Sequence, residues 1–425
     1  MMCMNSDLLK SEYNIKESAV RLMNMAEADI KDRFNEIDKI ASANTLRVLS
    51  AFKRAGVSEM HLGSSTGYGY DDVGRDTLDK IYADVFGTES ALVRHNIVSG
   101  THALSSCFFG LLRPGDTLLS VTGKPYDTLE EVIGIRGNAS GSLKEWGINY
   151  REVDLLPDGS ADLEKIAEAI TDDVKLVTIQ RSKGYAWRKS LSVSDIARII
   201  ACVKEKNPDT LCMVDNCYGE FVEEIEPTNV GADVIAGSLI KNPGGGLSLS
   251  GGYIAGRKDA IEKISYHLTA PGIGSEVGAT LGMNRNMYQG LFMAPHIVAQ
   301  SVKTAILAAR MLELAGYSVC PESYESRHDI IQAVKLNDKE KLCAFCAGIQ
   351  RGAPIDSFVT PVPWDMPGYN EQVIMAAGAF VSGASIEISA DAPIKEPFIA
   401  YMQGGLTYES GKIAVLCAVS DILDK

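Results

Sequence analysis

The chain has 425 residues, too many for one small core, and its 46% hydrophobic and 23% charged content is that of an ordinary globular protein. A formal net charge of −14 without a concentrated basic stripe excludes nucleic acid as an expected partner. No apolar stretch reads as membrane-spanning, and the start Met1-Met2-Cys3-Met4 lacks a charged-then-apolar leader, so a cytoplasmic protein with no membrane partner is expected.

Apolar residues at helical spacing (Val20, Met23, Ile30, Phe34, Ile37, Ile40) predict helix from about Asn14 to Ala55. A glycine-rich turn region follows over 61–74. Strands are then predicted at 91–98, 117–121, 150–155, 174–180, 211–215 and 233–238, with a hairpin partner at 252–255. Helices are predicted at 101–112, 161–170 and 193–204, and a long helical stretch at 276–314. This alternation implies an α/β protein with a mostly parallel, doubly covered sheet. From about Gly316 the pattern is mixed α+β, with an alternating strand at Ser385–Ser389 and a closing helix at Gly411–Leu423. The expected division is a helical N-terminal extension (1–60), a large α/β domain (61–315) and a smaller α+β C-terminal domain (316–425).

The nine cysteines are scattered and odd in number, which suits free thiols. Cys343-Ala-Phe-Cys346 has no second pair to complete a zinc site, and no metal site is expected. Glu223-Glu224-Ile225-Glu226 reads as a solvated acidic loop.

Four features point to one chemistry. Val98-Ser99-Gly100-Thr101 joins a strand to a helix, where glycine lets backbone approach a ligand and free amides favour a phosphate. Tyr126, just past the next strand, can lie over a cofactor ring. Asp215 ends one apolar run, and Lys241, 26 positions on, ends the next. Ser238 adds a hydroxyl, and Pro243-Gly244-Gly245-Gly246 fits backbone that must pass close to the lysine. A pyridoxal-phosphate enzyme needs such a pair: the lysine forms a Schiff base with the aldehyde, and the carboxylate keeps the pyridine nitrogen protonated. A lysine desolvated there would be partly neutral, hence nucleophilic.

Val214-Asp215-Asn216-Cys217-Tyr218, Gly231-Ala232-Asp233-Val234-Ile235 and Ser238-Leu239-Ile240-Lys241 are similar to the stretch carrying the aspartate and the lysine in the cystathionine and methionine γ-lyases. Gln180-Arg181-Ser182-Lys183-Gly184-Tyr185 and Gln403-Gly404-Gly405-Leu406-Thr407-Tyr408 resemble their divergent aluminium-resistance branch. The resemblance runs from about Ser18 onward. It implies the fold-type-I pyridoxal-phosphate transferase fold, pyridoxal 5'-phosphate as cofactor, and elimination from a small amino-acid substrate containing sulfur. By the same resemblance Lys241 is the Schiff-base lysine and Asp215 pairs with the ring nitrogen. Ser99, Gly100, Thr101 and Ser238 would hold the phosphate, Tyr126 would stack on the ring and assist catalysis beside Lys241, and Gln180 would touch the ring hydroxyl. A homotetramer or homodimer with shared active sites is implied too.

The chain departs from that pattern in three places. Gly67-Tyr68-Gly69-Tyr70-Asp71-Asp72 lacks the arginine that would reach a neighbour's phosphate, Arg75 being the nearest. Ile240 replaces a hydroxyl residue. Arg181, Arg188, Arg351 and Lys395 are the cations available for a substrate carboxylate. Other readings of the constellation are an aminotransferase, a desulfurase-like lyase, a cofactor-retaining binding protein without turnover, or, from another class, a nicotinamide oxidoreductase.

Overall fold

The computed structural model describes residues 6–138, 140–366 and 371–423. The chain forms two compact units: one comprises Ala43–Gly184 and Arg188–Ala294, the other Met1–Ser42, Tyr185–Trp187 and Pro295–Lys425.

The first unit is built on seven strands: β1 (Ser90–Arg94), β2 (Thr117–Ser120), β3 (Asn149–Glu152), β4 (Val174–Gln180), β5 (Leu211–Asp215), β6 (Val234–Ser238) and β7 (Gly252–Gly256). Their order is β1-β7-β6-β5-β4-β2-β3. From β6 through β3 every pairing is parallel, whereas β7 runs antiparallel to both β6 and β1. The expected mostly parallel sheet is therefore present, and β7 makes it mixed. The near-continuous apolar runs of β4 to β6 follow from burial on both faces. Ile196, Ile199, Ile200 and Val203 form the buried stripe of the helix Val193–Lys206, which Ser192 and Asp195 start with a reciprocal capping box. Phe108, Leu118, Leu176, Met213, Ile254 and Ile264 belong to the core on one side of the sheet.

In the second unit β8 (Ser318–Cys320), β9 (Gln332–Lys335), β10 (Val373–Ala376), β11 (Ser389–Pro393) and β12 (Ile399–Gln403) form an antiparallel sheet ordered β10-β11-β12-β9-β8. The helices Lys339–Arg351 and Tyr408–Ile422 pack closely against each other. Gly348 and Gly352 permit this, since a Cβ there would lie 2.5 and 2.3 Å from the Ala418 and Ala414 Cα atoms. Cys343 and Cys346 both lie on the first of these helices, and all eight described cysteines are free.

Three expectations are corrected. The N-terminal helical stretch is broken at Ile30 into Glu17–Asp29 and Lys31–Arg54. Ser385–Ser389 is a series of turns, with β11 starting only at Ser389. Glu387 is buried there and accepts the Phe380 and Val381 amides at 2.7 and 2.9 Å, so its place in the alternation marks a loop clamp and not a solvated strand face. The long helix starts at Asn284, and its 31 residues to Leu314 are by length and apolarity sufficient to cross a membrane. However, 72% of its most apolar window is buried within the protein, as in a core helix.

Candidate functional site

The carboxyl ends of β4, β5 and β6 lie side by side, with Gln180 opposite Asp215 and Asp215 opposite Ala236. In open α/β sheets this edge is where ligands bind. A cavity of about 200 Å³ opens here, lined by Ser99, Gly100, Thr101, Tyr126, Gln180, Asp215, Ser238 and Lys241. Every residue expected to bind the cofactor or act in catalysis thus lines one cavity. A larger hollow of about 660 Å³ lies elsewhere in the same unit, around Arg75, Asp79 and Lys258. Size favours that hollow, but Lys241, Asp215 and the helix start at Gly100 all lie at the smaller cavity.

Ser99 caps the helix Gly100–Leu111: its Oγ accepts from the His102 amide at 3.1 Å and its carbonyl from the Ala103 amide at 3.1 Å. The amides of Gly100 and Thr101, the first two of the helix, remain for an anion. A Cβ on Gly100 would sit 3.3 Å from Cys217 Sγ and 3.5 Å from Ser238 Cβ, so a side chain would fill the cradle. Thr101 Oγ1 lies 2.7 Å from Thr128 Oγ1, which adds a second hydroxyl that sequence reasoning had not singled out. His102 acts locally, its Nδ1 accepting the Val98 amide at 3.2 Å.

Asp215 is half-buried, and the Cys217 amide donates to its Oδ1 at 3.1 Å. Burial pushes its carboxyl up, against the pull of the Lys241 charge and the Cys217 amide. Lys241 Nζ lies 4.0 Å from the centroid of the Tyr218 ring, a cation–π contact. The expected partly neutral lysine is not what this arrangement produces. Burial alone pulls the ammonium down, but Cys217, Tyr218 and Asp215 outweigh it, and the net direction is up.

The glycines after Lys241 have a packing reason. Gly245 has φ +53°, and a Cβ on it would lie 2.5 Å from the Gly290 carbonyl, so this loop passes backbone to backbone against the helix that begins at Asn284. Tyr218 adopts φ +71° and Phe221 φ +63°, left-handed positions for bulky residues. That twist turns the Tyr218 ring under Lys241. Tyr218 was missed because nothing in its sequence neighbourhood signals a positive φ.

Gln180 Oε1 is buried without a partner, while Nε2 donates to the Ser182 carbonyl at 3.1 Å. The orphaned oxygen, the two free helix amides, the Gly100 cradle and the acid–lysine pair together fit a flat, phosphorylated, aldehyde-bearing ring.

The cations expected to serve a carboxylate separate clearly. Arg181 is fully buried and committed to Asn216 Oδ1 at 2.8 Å, Glu223 at 2.8 Å and Glu226 at 3.5 Å. The acidic stretch 223–226 is solvated only at Glu224 and Ile225, because Glu223 is half-buried and Glu226 wholly buried as counter-ions of Arg181. Arg351 forms a two-pronged pair with Asp421 in the second unit, where Lys395 lines a small separate hollow. Arg188 reaches lining residues, donating to the Ser182 and Gln180 carbonyls at 2.9 and 3.3 Å. Arg75 is buried and clamps the Gly69 and Gly278 carbonyls at 2.6 and 3.1 Å, so it fixes the Tyr68–Tyr70 arm and does not reach out.

The methionine gamma-lyase family profile matches residues 19–423. An uncharacterised Bacillus subtilis protein is 54% identical over 420 residues, 99% of each chain. A crystal structure of a Clostridium novyi carbon–sulfur lyase involved in aluminium resistance superposes with a TM-score of 0.96 at 55% identity, over 99% of this chain and 100% of that one. An L-methionine gamma-lyase of Pseudomonas putida is more distant, 25% identical over 206 residues, 48% of this chain and 46% of its own length. The acid–lysine pair on the strand edge and the match over nearly the whole length agree: the chain belongs to the methionine gamma-lyase family of pyridoxal-phosphate-dependent carbon–sulfur lyases.

Proposed function

We propose that the protein eliminates a thiol from a sulfur-containing amino acid of the cystathionine or methionine type, releasing ammonia and a keto acid. The observation that carries this reading is the enclosure of Lys241 and Asp215 in one cavity whose mouth is a helix start. Pyridoxal phosphate, when bound, supplies an aldehyde carbon and an electron-withdrawing ring.

The chain's own groups would divide the remaining work. Gly100 and Thr101 amides and the Ser238 hydroxyl hold the phosphate, and Asp215 holds a proton on the ring nitrogen. A carboxylate pushed up by desolvation has strong reason to seek such a cationic partner. Lys241 Nζ takes the proton from the substrate α-carbon and can return it to the departing sulfur. The Tyr126 ring excludes water from one side of the cavity and orients the cofactor, and the Gln180 oxygen accepts from a ring hydroxyl. Arg188 donates to the carbonyls of two lining residues and is the proposed guide for the substrate carboxylate. We place the enzyme in the cytoplasm as a homotetramer or homodimer. Tyr68 and Tyr70, 75% and 61% exposed on an arm fixed by Arg75, suit a contact with a second copy.

The test is product analysis with a panel of sulfur amino acids and no added keto acid. Keto acid, ammonia and thiol in equal amounts are expected. A requirement for a keto-acid acceptor, with no ammonia released, would make the protein an aminotransferase.

A further inference from the structure

The turn that presents Asp215, Cys217 and Tyr218 to the cavity sends the next acid, Glu220, the opposite way. Glu220 is completely buried. Its Oε1 accepts from Tyr253 Oη at 2.9 Å, and its Oε2 has no partner. Its carbonyl accepts from Asn242 Nδ2 at 3.0 Å, and Asn242 is the residue directly after Lys241. Gly237 on β6 is glycine because a Cβ would lie 2.6 Å from Glu220 Oε1. The fold therefore makes room for an acid that an apolar side chain could replace at lower desolvation cost.

We propose that Glu220, held by Tyr253, is a positioning residue for Lys241: it anchors the backbone beside the lysine and biases the charge on the lysine nitrogen. This rests on the reading of Lys241 as the cofactor lysine. The groups around Glu220 are Tyr253 on β7, Tyr82 on the helix Val73–Val85, and Cys217, Glu226 and Lys241 on the flanking turns. Arg181, the nearby cation, is occupied by Glu223 and Glu226. Lys241, joined to Glu220 through Asn242, is the cation whose charge lowers the Glu220 carboxyl. Burial first, then the Glu226 charge, raise the Glu220 carboxyl to about 8, opposed by a backbone hydrogen bond, the Tyr253 hydroxyl and Lys241. Below that pH Glu220 is neutral. Above it, the carboxylate favours a proton on the Lys241 nitrogen, so wild type should keep that proton to higher pH than a chain lacking the acid.

The experiment is a pH titration of the visible spectrum of the full-length holoenzyme, wild type against Glu220→Gln. Glutamine preserves shape and can still accept from Tyr253. The colour change should move down by about one pH unit in Glu220→Gln, a tenfold change in proton affinity. Tyr253→Phe removes the donor that helps Glu220 ionise, so it should move the midpoint in the same direction by less. A melting profile of each chain across pH 5 to 9 gives a second readout. Because the folded state favours protonated Glu220, wild type should lose stability as pH rises toward 8, and Glu220→Gln should lose less. Identical midpoints in coloured Glu220→Gln and wild type would overturn the proposal while leaving the Lys241 reading intact. If Glu220→Gln fails to fold, an unmoved midpoint in Tyr253→Phe overturns it equally. A wild type that never colours with pyridoxal phosphate would instead sink the reading beneath it.

Discussion

Two charge clusters lie within a few residues of each other, and they are built on opposite plans. Around Arg181, the guanidinium meets Asn216, Glu223 and Glu226, and Glu226 also accepts from the Phe221 amide at 2.9 Å and pairs with Arg47 at 3.5 Å. Around Lys241, the ammonium rests on the Tyr218 ring and Asp215 accepts from one backbone amide. In the first cluster each charge already meets an opposite charge, although Arg181 Nε keeps no hydrogen-bond partner. The second faces a cavity with its carboxyl pushed up by burial, so desolvation is left uncompensated where a ligand can compensate it. The difference teaches that a scaffold charge is recognised by its finished partners and a working charge by its unfinished ones.

Substitutions can break this contrast. Lys241→Ala should lower kcat/KM by about 10²–10⁴-fold, the span of a lost general acid–base group, with the chain still folded by circular dichroism. Arg181→Ala should act on stability, leaving buried Glu226 with Arg47 at 3.5 Å as its remaining cation, at up to about 3–5 kcal/mol by urea unfolding. Surviving folded protein should still take up the cofactor. Asp215→Asn should cost about 10²–10³-fold in turnover, as for a lost preorganised charge. Yet it should not destabilise the cofactor-free chain at pH 7. The folded state holds the Asp215 carboxyl above its unfolded value, so its ionisation opposes folding as pH rises through and beyond the unfolded value, and asparagine removes that penalty. A clear loss of stability in Asp215→Asn would place Asp215 with the scaffold cluster. Gly245→Ala should act on packing alone: the left-handed backbone costs about 1–2 kcal/mol, and the clash with the Gly290 carbonyl adds to it in urea unfolding.

The sequence exposes the working cluster more readily than the scaffold one. Asp215 ends one apolar strand and Lys241 follows the end of the next by three residues, and β4 and β5 are legible to the residue because buried parallel strands carry unbroken apolar runs. Ser99 and Gly100 stand at a strand–helix junction that turn chemistry marks. Arg181 and Glu226, by contrast, look like surface charges, since a buried ion pair 45 positions apart has no local signature. Tyr218 and Glu220 are set by a turn with two left-handed bulky residues, which tertiary packing imposes against local preference. The helix Val73–Val85 was also not anticipated, because Gly67, Gly69 and Gly74 mask its start; Asp72 caps it by accepting the Arg75 amide. In the second unit, the turns at Ser385–Ser389 imitate a strand because a buried glutamate supplies the polar step of the alternation.

The most direct test of the central claim is to reduce the purified protein with borohydride in the presence of pyridoxal phosphate and map the labelled peptide. The account predicts a yellow protein that bleaches on reduction, with the cofactor fixed to the peptide containing Lys241 and absent from that peptide in Lys241→Ala. Label on a different lysine, or a folded protein that stays colourless, would contradict it.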